Sequence, residues 1–312
     1  MQDLFGADHM GYRKLKRLIA DGSIKYAAEI EKEATLMGLN VVRKGSELVL
    51  ESSIELLDAA KIRKHVTYAP LDLQVLWTVD STNSYLMREL VSPFKGYFVC
   101  LAEHQEKGRG RRGRQWVSPF GRNLYISIAR IFSRVERGLD GLSLAVGIQL
   151  AKTLKQKEVE NLGLKWPNDL LLDDAKLAGI LVEIGPVLGP NVCVIVGIGV
   201  NLELTRKDSL QIDQPHRDLS GVLDCSRNLL AGEIIQNVIS GLNIFARSGF
   251  SAFAKEWDEY NLYRDKEVLV HMAGSVVSGF DSGVDEAGNL LLSTETGVIS
   301  FNSGEVSLRG KV

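Results

Sequence analysis

Gly108-Arg109-Gly110-Arg111-Arg112-Gly113-Arg114-Gln115-Trp116 places four arginines and three glycines in nine residues, and its setting decides how the chain folds. Such a stretch cannot be core. Glycine admits positive φ and lets backbone come close to a ligand, while guanidinium forks match phosphate and carboxylate oxygens in pairs. Apolar segments flank it, Tyr97 to Ala102 before and Leu124 to Phe132 after. It is therefore a loop held by a folded scaffold and not a tail. Trp116 and Ser118-Pro119-Phe120-Gly121 give it a rigid, aromatic exit. A plain solvated basic loop would have the same composition, so the rest of the chain must decide between the two.

Outward from the loop, strand patterns (Val75 to Val79, Phe98 to Ala102, Leu124 to Ala129, Leu162 to Trp166, Leu177 to Ile184, Val192 to Ile198) mix with helical ones (Thr82 to Leu90, Leu142 to Gln156, Leu229 to Ile244, Phe250 to Tyr260). They do not alternate strictly, which predicts an α+β fold with a mixed-sheet central domain over residues 65–264. From about Asp265, short alternating runs broken by Gly and Ser predict a small five-stranded barrel over 265–312, with its last strand at Glu305 to Leu308.

Residues 1–64 read as a small helical and winged module. Helices are predicted over Gly11 to Ala20 and Ile24 to Met37, then a hairpin from Leu39 to Val42 and Leu48 to Leu50, then a linking helix over Ser53 to Lys64. The first nine residues show no pattern. A winged helix that reads DNA needs a further helix and a basic face. Residues 1–50 instead hold eight basic against seven acidic side chains, with Glu29, Glu31 and Glu33 on the helix nearest the wing. The module is expected to read DNA poorly, and the activity of the central domain to survive removal of residues 1–64 apart from any effect on loop order or stability.

The 312 residues are 45% apolar and 24% charged, enough for two or three domains, and a net charge of -2 confines any polyanion binding to local patches. Cys100, Cys193 and Cys225 lack C-x-x-C spacing. They read as free thiols of a reducing cytosol, so a cytoplasmic location is expected. No signal-peptide pattern and no run of 18 apolar residues appears.

Three further segments carry chemistry. Asp80-Ser81-Thr82-Asn83 closes a strand and opens a helix, which suits either an N-cap cluster or hydrogen bonds to a polar ligand; Gln105 could serve the same face. Lys165-Trp166-Pro167-Asn168-Asp169 puts a cation, an aromatic and a carboxylate at a strand end, and a hairpin over Leu170 to Ala175 would return Lys176 to Asp169. Gly197-Ile198-Gly199-Val200-Asn201 is a strand with room for close approach.

Together these motifs, with Lys176-Leu177-Ala178-Gly179-Ile180-Leu181-Val182-Glu183, resemble in order those of the biotin protein ligase family, from about Leu76 to the C-terminus. The resemblance implies an SH3-like C-terminal barrel and an ATP-dependent reaction through biotinyl-5'-AMP, with transfer to a lysine of the biotin carboxyl carrier domain of acetyl-CoA carboxylase. By motif, Ser81, Thr82, Asn83, Gln105 and Gly179 would contact biotin, and Arg109, Gly110 and Arg111 would cover it. Lys176 would sit between the carboxylate and the α-phosphate, with Arg111 and Asp169 beside it in the catalytic set. Arg112, Arg114, Lys165 and Asn168 are candidates for the phosphates and Mg2+, and Trp116, Asn201 and His216 for the nucleotide; no metal ligands are assigned. His216 stands where family members can carry a tryptophan on the adenine. In members whose N-terminal module is a winged helix the protein also represses biotin synthesis genes, so a homodimer and DNA enter as further expected partners, and a membrane does not. Two alternatives remain, a biotin-sensing repressor without efficient ligase activity and a lipoate-type ligase.

Overall fold

The computed structural model describes residues 10–303 and 307–310, apart from 91, 93, 134–137, 189, 190 and 273. The first nine residues, whose sequence shows no pattern, lie outside it.

At the N-terminal end come α1 (Met10–Asp21), β1 (Ser23–Lys25), α2 (Ala28–Leu36), β2 (Val41–Lys44) and β3 (Glu47–Leu50), the strands forming an antiparallel sheet in the order β1-β3-β2. The second helix starts four residues later than its sequence predicts. Ile24 pairs with Leu48 and packs on the module's core, which draws Ser23–Lys25 into the sheet. Gly38, at φ 76°, ends α2. Two helices precede the hairpin among the described residues.

The linker is also less helical than expected. Only α3 (Ala59–Arg63) forms, capped by Asp58 accepting from Lys61 N at 2.9 Å. Before it the chain is extended and bonded to the central domain: Leu57 N donates to Glu103 Oε1 at 2.5 Å and Asp58 N to Asn228 Oδ1 at 2.7 Å. Glu103 in turn pairs with Arg227 at 3.0 Å, both side chains less than a tenth exposed. A buried pair of this kind fixes geometry more than it adds stability.

The central domain holds β4 (Leu71–Val79), α4 (Thr82–Glu89), β5 (Tyr97–Gln105), β6 (Leu124–Ser133), α5 (Leu142–Lys155), β7 (Leu162–Lys165), β8 (Asp169–Leu172), β9 (Ala175–Leu188), β10 (Asn191–Val200), α6 (Arg206–Ser209), α7 (Arg227–Ser248) and α8 (Ala254–Tyr260). Its sheet runs β4-β5-β6-β10-β9-β8-β7, parallel only between β4 and β5. The expected mixed sheet is thus observed. Helices α5 and α7 bury its inner residues in the main core. By length and composition α7 could cross a membrane, but more than half of its apolar window is buried. The helix expected over Phe250 to Tyr260 is divided: Gly249, at φ 67°, leads into a 3-10 turn at Phe250–Ala252 before α8 begins.

The last domain is a five-stranded antiparallel sheet of β11 (Glu267–Met272), β12 (Ser275–Val284), β13 (Leu290–Thr294), β14 (Gly297–Phe301) and β15 (Ser307–Gly310), ordered β14-β13-β12-β11-β15. Glu305, at the start of the last predicted strand, lies outside the described residues. The core of this domain, with Val268, Val270, Leu292 and Leu308, is continuous with that of the central domain.

Candidate active site

The sheet makes its own shelf. Antiparallel register puts Gly199 of β10 beside Gly179 of β9, and the Trp116 ring lies over both. A Cβ at Gly199 would come within 2.5 Å of that ring, and one at Gly197 within 2.5 Å of Asn83 Oδ1. Both glycines line a cavity of about 260 Å³. That is just below the roughly 300–1,000 Å³ usual for small-molecule sites, as expected where an indole occupies part of the floor.

The polar wall is the start of α4. Ser81 is the N-cap residue but makes no side-chain capping bond, so the simple capping reading of Asp80-Ser81-Thr82-Asn83 fails. Ser81, Thr82 and Asn83 are buried and line the cavity. Thr82 N and Oγ1 both donate to Gln105 Oε1, at 3.0 and 3.2 Å, and the Ser127 hydroxyl lies 2.7 Å from Thr82 Oγ1 and 2.6 Å from Asn83 Oδ1. Such a fixed network presents its remaining polar groups in set directions.

The arginine loop is a narrow hairpin. Arg109 bridges Gln115, Gly110 N donates to Arg114 O at 2.7 Å, and Trp116 N donates to Gly108 O at 2.9 Å. At its tip, Arg111–Gly113 form a 3-10 turn with Arg112 at φ 58°. Arg111 is partly buried and reaches back to Asn168 Oδ1 (3.3 Å) and to the carbonyl of Ser303 in the C-terminal domain. Burial lowers its pKa, the charge of Asp169 opposes that, and Arg114 and Arg112 add to it.

At the other end of the cavity Lys176 Nζ lies 2.8 Å from Asp169 Oδ1, an ion pair off the hydrogen-bonding direction, and 5.5 Å from the Trp116 ring centre. Both charged side chains are about one-seventh exposed. The hairpin of β8 and β9 brings them together. Segment Gln214–Arg217 runs beside Lys176: Lys176 N donates to Pro215 O and Arg217 N to Lys176 O, each at 3.0 Å, with His216 bridging Lys176.

Fourteen of the residues singled out from the sequence line this one cavity: Ser81, Thr82, Asn83, Gln105, Arg109, Gly110, Arg111, Arg114, Trp116, Asn168, Lys176, Gly179, Asn201 and His216. Asp169 stands behind Lys176. Arg112 and Lys165 are not in the wall: Arg112 faces the outer groove of the loop, and Lys165 lies over the Tyr263 ring at 5.8 Å. Trp166 is a core anchor, 1% exposed, donating from Nε1 to Gly288 O at 3.2 Å. Sequence reading gave no role to Tyr125 and Ser127, nor to Leu181 and Glu183 although both stand in the quoted motif. Alternation along β6 and β9 places them on sheet faces, but only the strand order says that these faces meet. Among the described residues no group of three or more metal-ligating side chains occurs.

A mixed sheet with a glycine shelf, a polar helix start, an arginine hairpin and a lysine paired with Asp169 defines a class of ligase. The model of the biotin/lipoate A/B protein ligase family matches residues 75–201, and that of the biotin protein ligase C-terminal domain matches residues 265–309. The bifunctional ligase/repressor BirA of Salmonella typhimurium is 35% identical over 269 residues, which are 85% of this chain and 82% of that protein. The biotin--[acetyl-CoA-carboxylase] ligase of Mycobacterium tuberculosis is 29% identical over 75% of this chain and 88% of its own length. Among solved structures, the Aquifex aeolicus biotin protein ligase in complex with biotin and ATP superimposes with TM-score 0.65 at 29% identity, covering 77% of this chain and 99% of that one. This chain belongs to the biotin protein ligase family.

Proposed function

We propose that this chain is an ATP-dependent ligase that joins biotin to a lysine of the biotin carboxyl carrier domain of acetyl-CoA carboxylase. In the first step a biotin carboxylate oxygen attacks the α-phosphorus of ATP, the bond to the β-phosphate oxygen breaks, and biotinyl-5'-AMP and pyrophosphate form. Two anions must meet, so a cation at the junction stabilises the transition state. The observation that carries the reading is Lys176 Nζ, held by Asp169 at 2.8 Å in a cavity shared with Ser81, Thr82 and Asn83 at one end and His216 at the other. In this reading the α4 wall takes the biotin ring, Gly179 leaves room for it, and Arg111 covers the junction. Arg114, Asn168, Asn201, Trp116 and His216 face the nucleotide, while Arg112 and Lys165, which stand outside the cavity wall, take no part in holding it. In the second step the carrier amine attacks the acyl carbon, AMP leaves, and the amine loses a proton. Water would hydrolyse the mixed anhydride, so the hairpin also serves as a cover.

The residues fit a magnesium ion that arrives with the nucleotide. Asp169 and Asn168 offer hard oxygen, and the ion takes most of its ligands from phosphate and water; its chemistry there is to neutralise phosphate charge. Incubation with biotin, ATP, Mg2+ and the apo carrier domain, read by avidin blot, tests the reading. Absence of labelling, or labelling with lipoate in place of biotin, would overturn it. Repression of biotin genes, with a homodimer as the binding species, is a second reading. It is supported by the three-stranded sheet beside α1 and α2 and by the name of the Salmonella relative. Glu29, Glu31 and Glu33 on α2 oppose it, since they remove part of the electrostatic attraction to phosphate. Titration against the organism's own biotin promoter at physiological salt decides: specific nanomolar binding establishes repression, and salt-sensitive micromolar binding excludes it.

A further inference from the structure

Glu183 takes no part in the reaction above, yet it holds two residues that line the cavity. It stands on β9 two positions beyond Leu181, pairing with Ile195 of β10. It faces the groove on the outer side of the arginine loop and does not line the cavity. One oxygen, Oε2, accepts from Asn83 Nδ2 at 2.8 Å and from Arg109 at 2.6 Å. The first bond, with Leu181 O at 3.3 Å, fixes which way the Asn83 amide points, so that its Oδ1 meets Ser127. The second holds Arg109, which forms the neck of the hairpin by bridging Gln115. The Arg109 guanidinium is thereby engaged with the protein, although its sequence motif suggested a ligand contact.

We propose that Glu183 is the positioning residue of the covering loop. Its single charge closes the hairpin neck through Arg109 and orients Asn83 in the same act, so the cover and the polar wall of the pocket are set together. This deepens the ligase reading and rests on it for the identity of what is covered. The carboxylate is 22% exposed and Arg109 42%, so the pair is of the kind that contributes modestly to stability. Its effect is felt in the lifetime of the closed loop.

The test uses the full chain and two readouts. Biotinyl-5'-AMP is formed from biotin and ATP, the protein is desalted, and release of the intermediate is followed without acceptor. Glu183→Gln keeps the shape and an acceptor for Asn83 but removes the charge. It should speed release roughly three- to tenfold, with a larger effect on release than on the rate of adenylate formation at saturation. Arg109→Gln should do the same, and the double variant should be no faster than the faster single one. Limited trypsin digestion, scored at the remaining arginines of the hairpin, should accelerate several-fold in Glu183→Gln without any ligand present. Equal trypsin rates, or release effects that multiply in the double variant, overturn the proposal. Wild-type protein that forms no adenylate overturns the ligase reading and leaves the trypsin result to judge the latch. Melting temperatures accompany each variant. If Glu183→Gln melts early, Arg109→Gln, at a more exposed side chain, decides by the release readout.

Discussion

Replacing Phe120 by alanine should separate the stability of the N-terminal module from that of the rest of the chain. Phe120 lies four residues beyond Trp116, in the connection between β5 and β6, yet it is fully buried in the core of residues 15–50 with Leu18, Ile30 and Leu48. Its ring centre is 4.6 Å from that of Trp77, and the next residue, Gly121, packs against Ile54. Truncating a buried phenylalanine costs about 3–5 kcal/mol. A module of this size has on the order of 2–8 kcal/mol in all, by the usual ~0.05–0.15 kcal/mol per residue. The substitution should therefore unfold or undock the module while the larger core persists. Calorimetry should resolve a new low-temperature transition, and amides of Leu18 and Leu48 should lose hydrogen-exchange protection. Because Pro119 O accepts from the hydroxyl of Tyr125 at 2.8 Å, and Tyr125 lines the cavity, biotin affinity should fall several-fold as well. A single transition shifted by less than about 1 °C, where ~1 kcal/mol corresponds to roughly 2–4 °C, would refute the reasoning. On the same grounds, removal of residues 1–64 would bare Phe120 and Trp77 and cut the bonds of Leu57 and Asp58 to Glu103 and Asn228. The activity expected from the sequence to survive that deletion, apart from effects on loop order or stability, should therefore come with a loss of stability and of biotin affinity.

Three other substitutions follow from the site and the domain junction. Lys176→Ala should lower the single-turnover rate of adenylate formation by about 10²–10³-fold, the usual cost of one transition-state donor, while changing ATP affinity far less; quench-flow measures the first and equilibrium binding the second. Gly199→Ala would put a Cβ 2.5 Å from Trp116, so the ring must leave the shelf, and tryptophan fluorescence should shift together with a rise in biotin KM. Asp281 is fully buried, and burial raises its carboxyl pKa above the ordinary value. The folded state then binds its proton more tightly than the unfolded state, so stability is greatest below the unfolded pKa and falls as pH rises through the folded one. Asp281→Asn should remove that fall, giving a higher melting temperature than wild type at neutral pH and a smaller difference in acid.

The amino-acid sequence by itself determined the α+β class and most of the central and C-terminal strands, though not β8, and the order of its motifs, through their family resemblance, named much of the cavity wall. For the strands and the loop the reason is that local rules act there: alternation marks β6, β9 and β10, and an arginine-glycine run can only be a loop. Lys176 and Asp169 were also legible as a pair, because a hairpin of fixed length returns one to the other. Tertiary structure decided what depends on partners distant in the chain. Ile24 becomes strand because Leu48 is there to pair with it, and Phe120 belongs to the N-terminal core because Trp77 and Leu18 converge on it. Lys165 turns to Tyr263 and away from the cavity. Glu183 looks like the polar end of an apolar strand until strand order brings Asn83 and Arg109, 100 and 74 residues away in sequence, onto one oxygen. Spacing can predict a contact made within a hairpin, but not one that depends on which strands become neighbours.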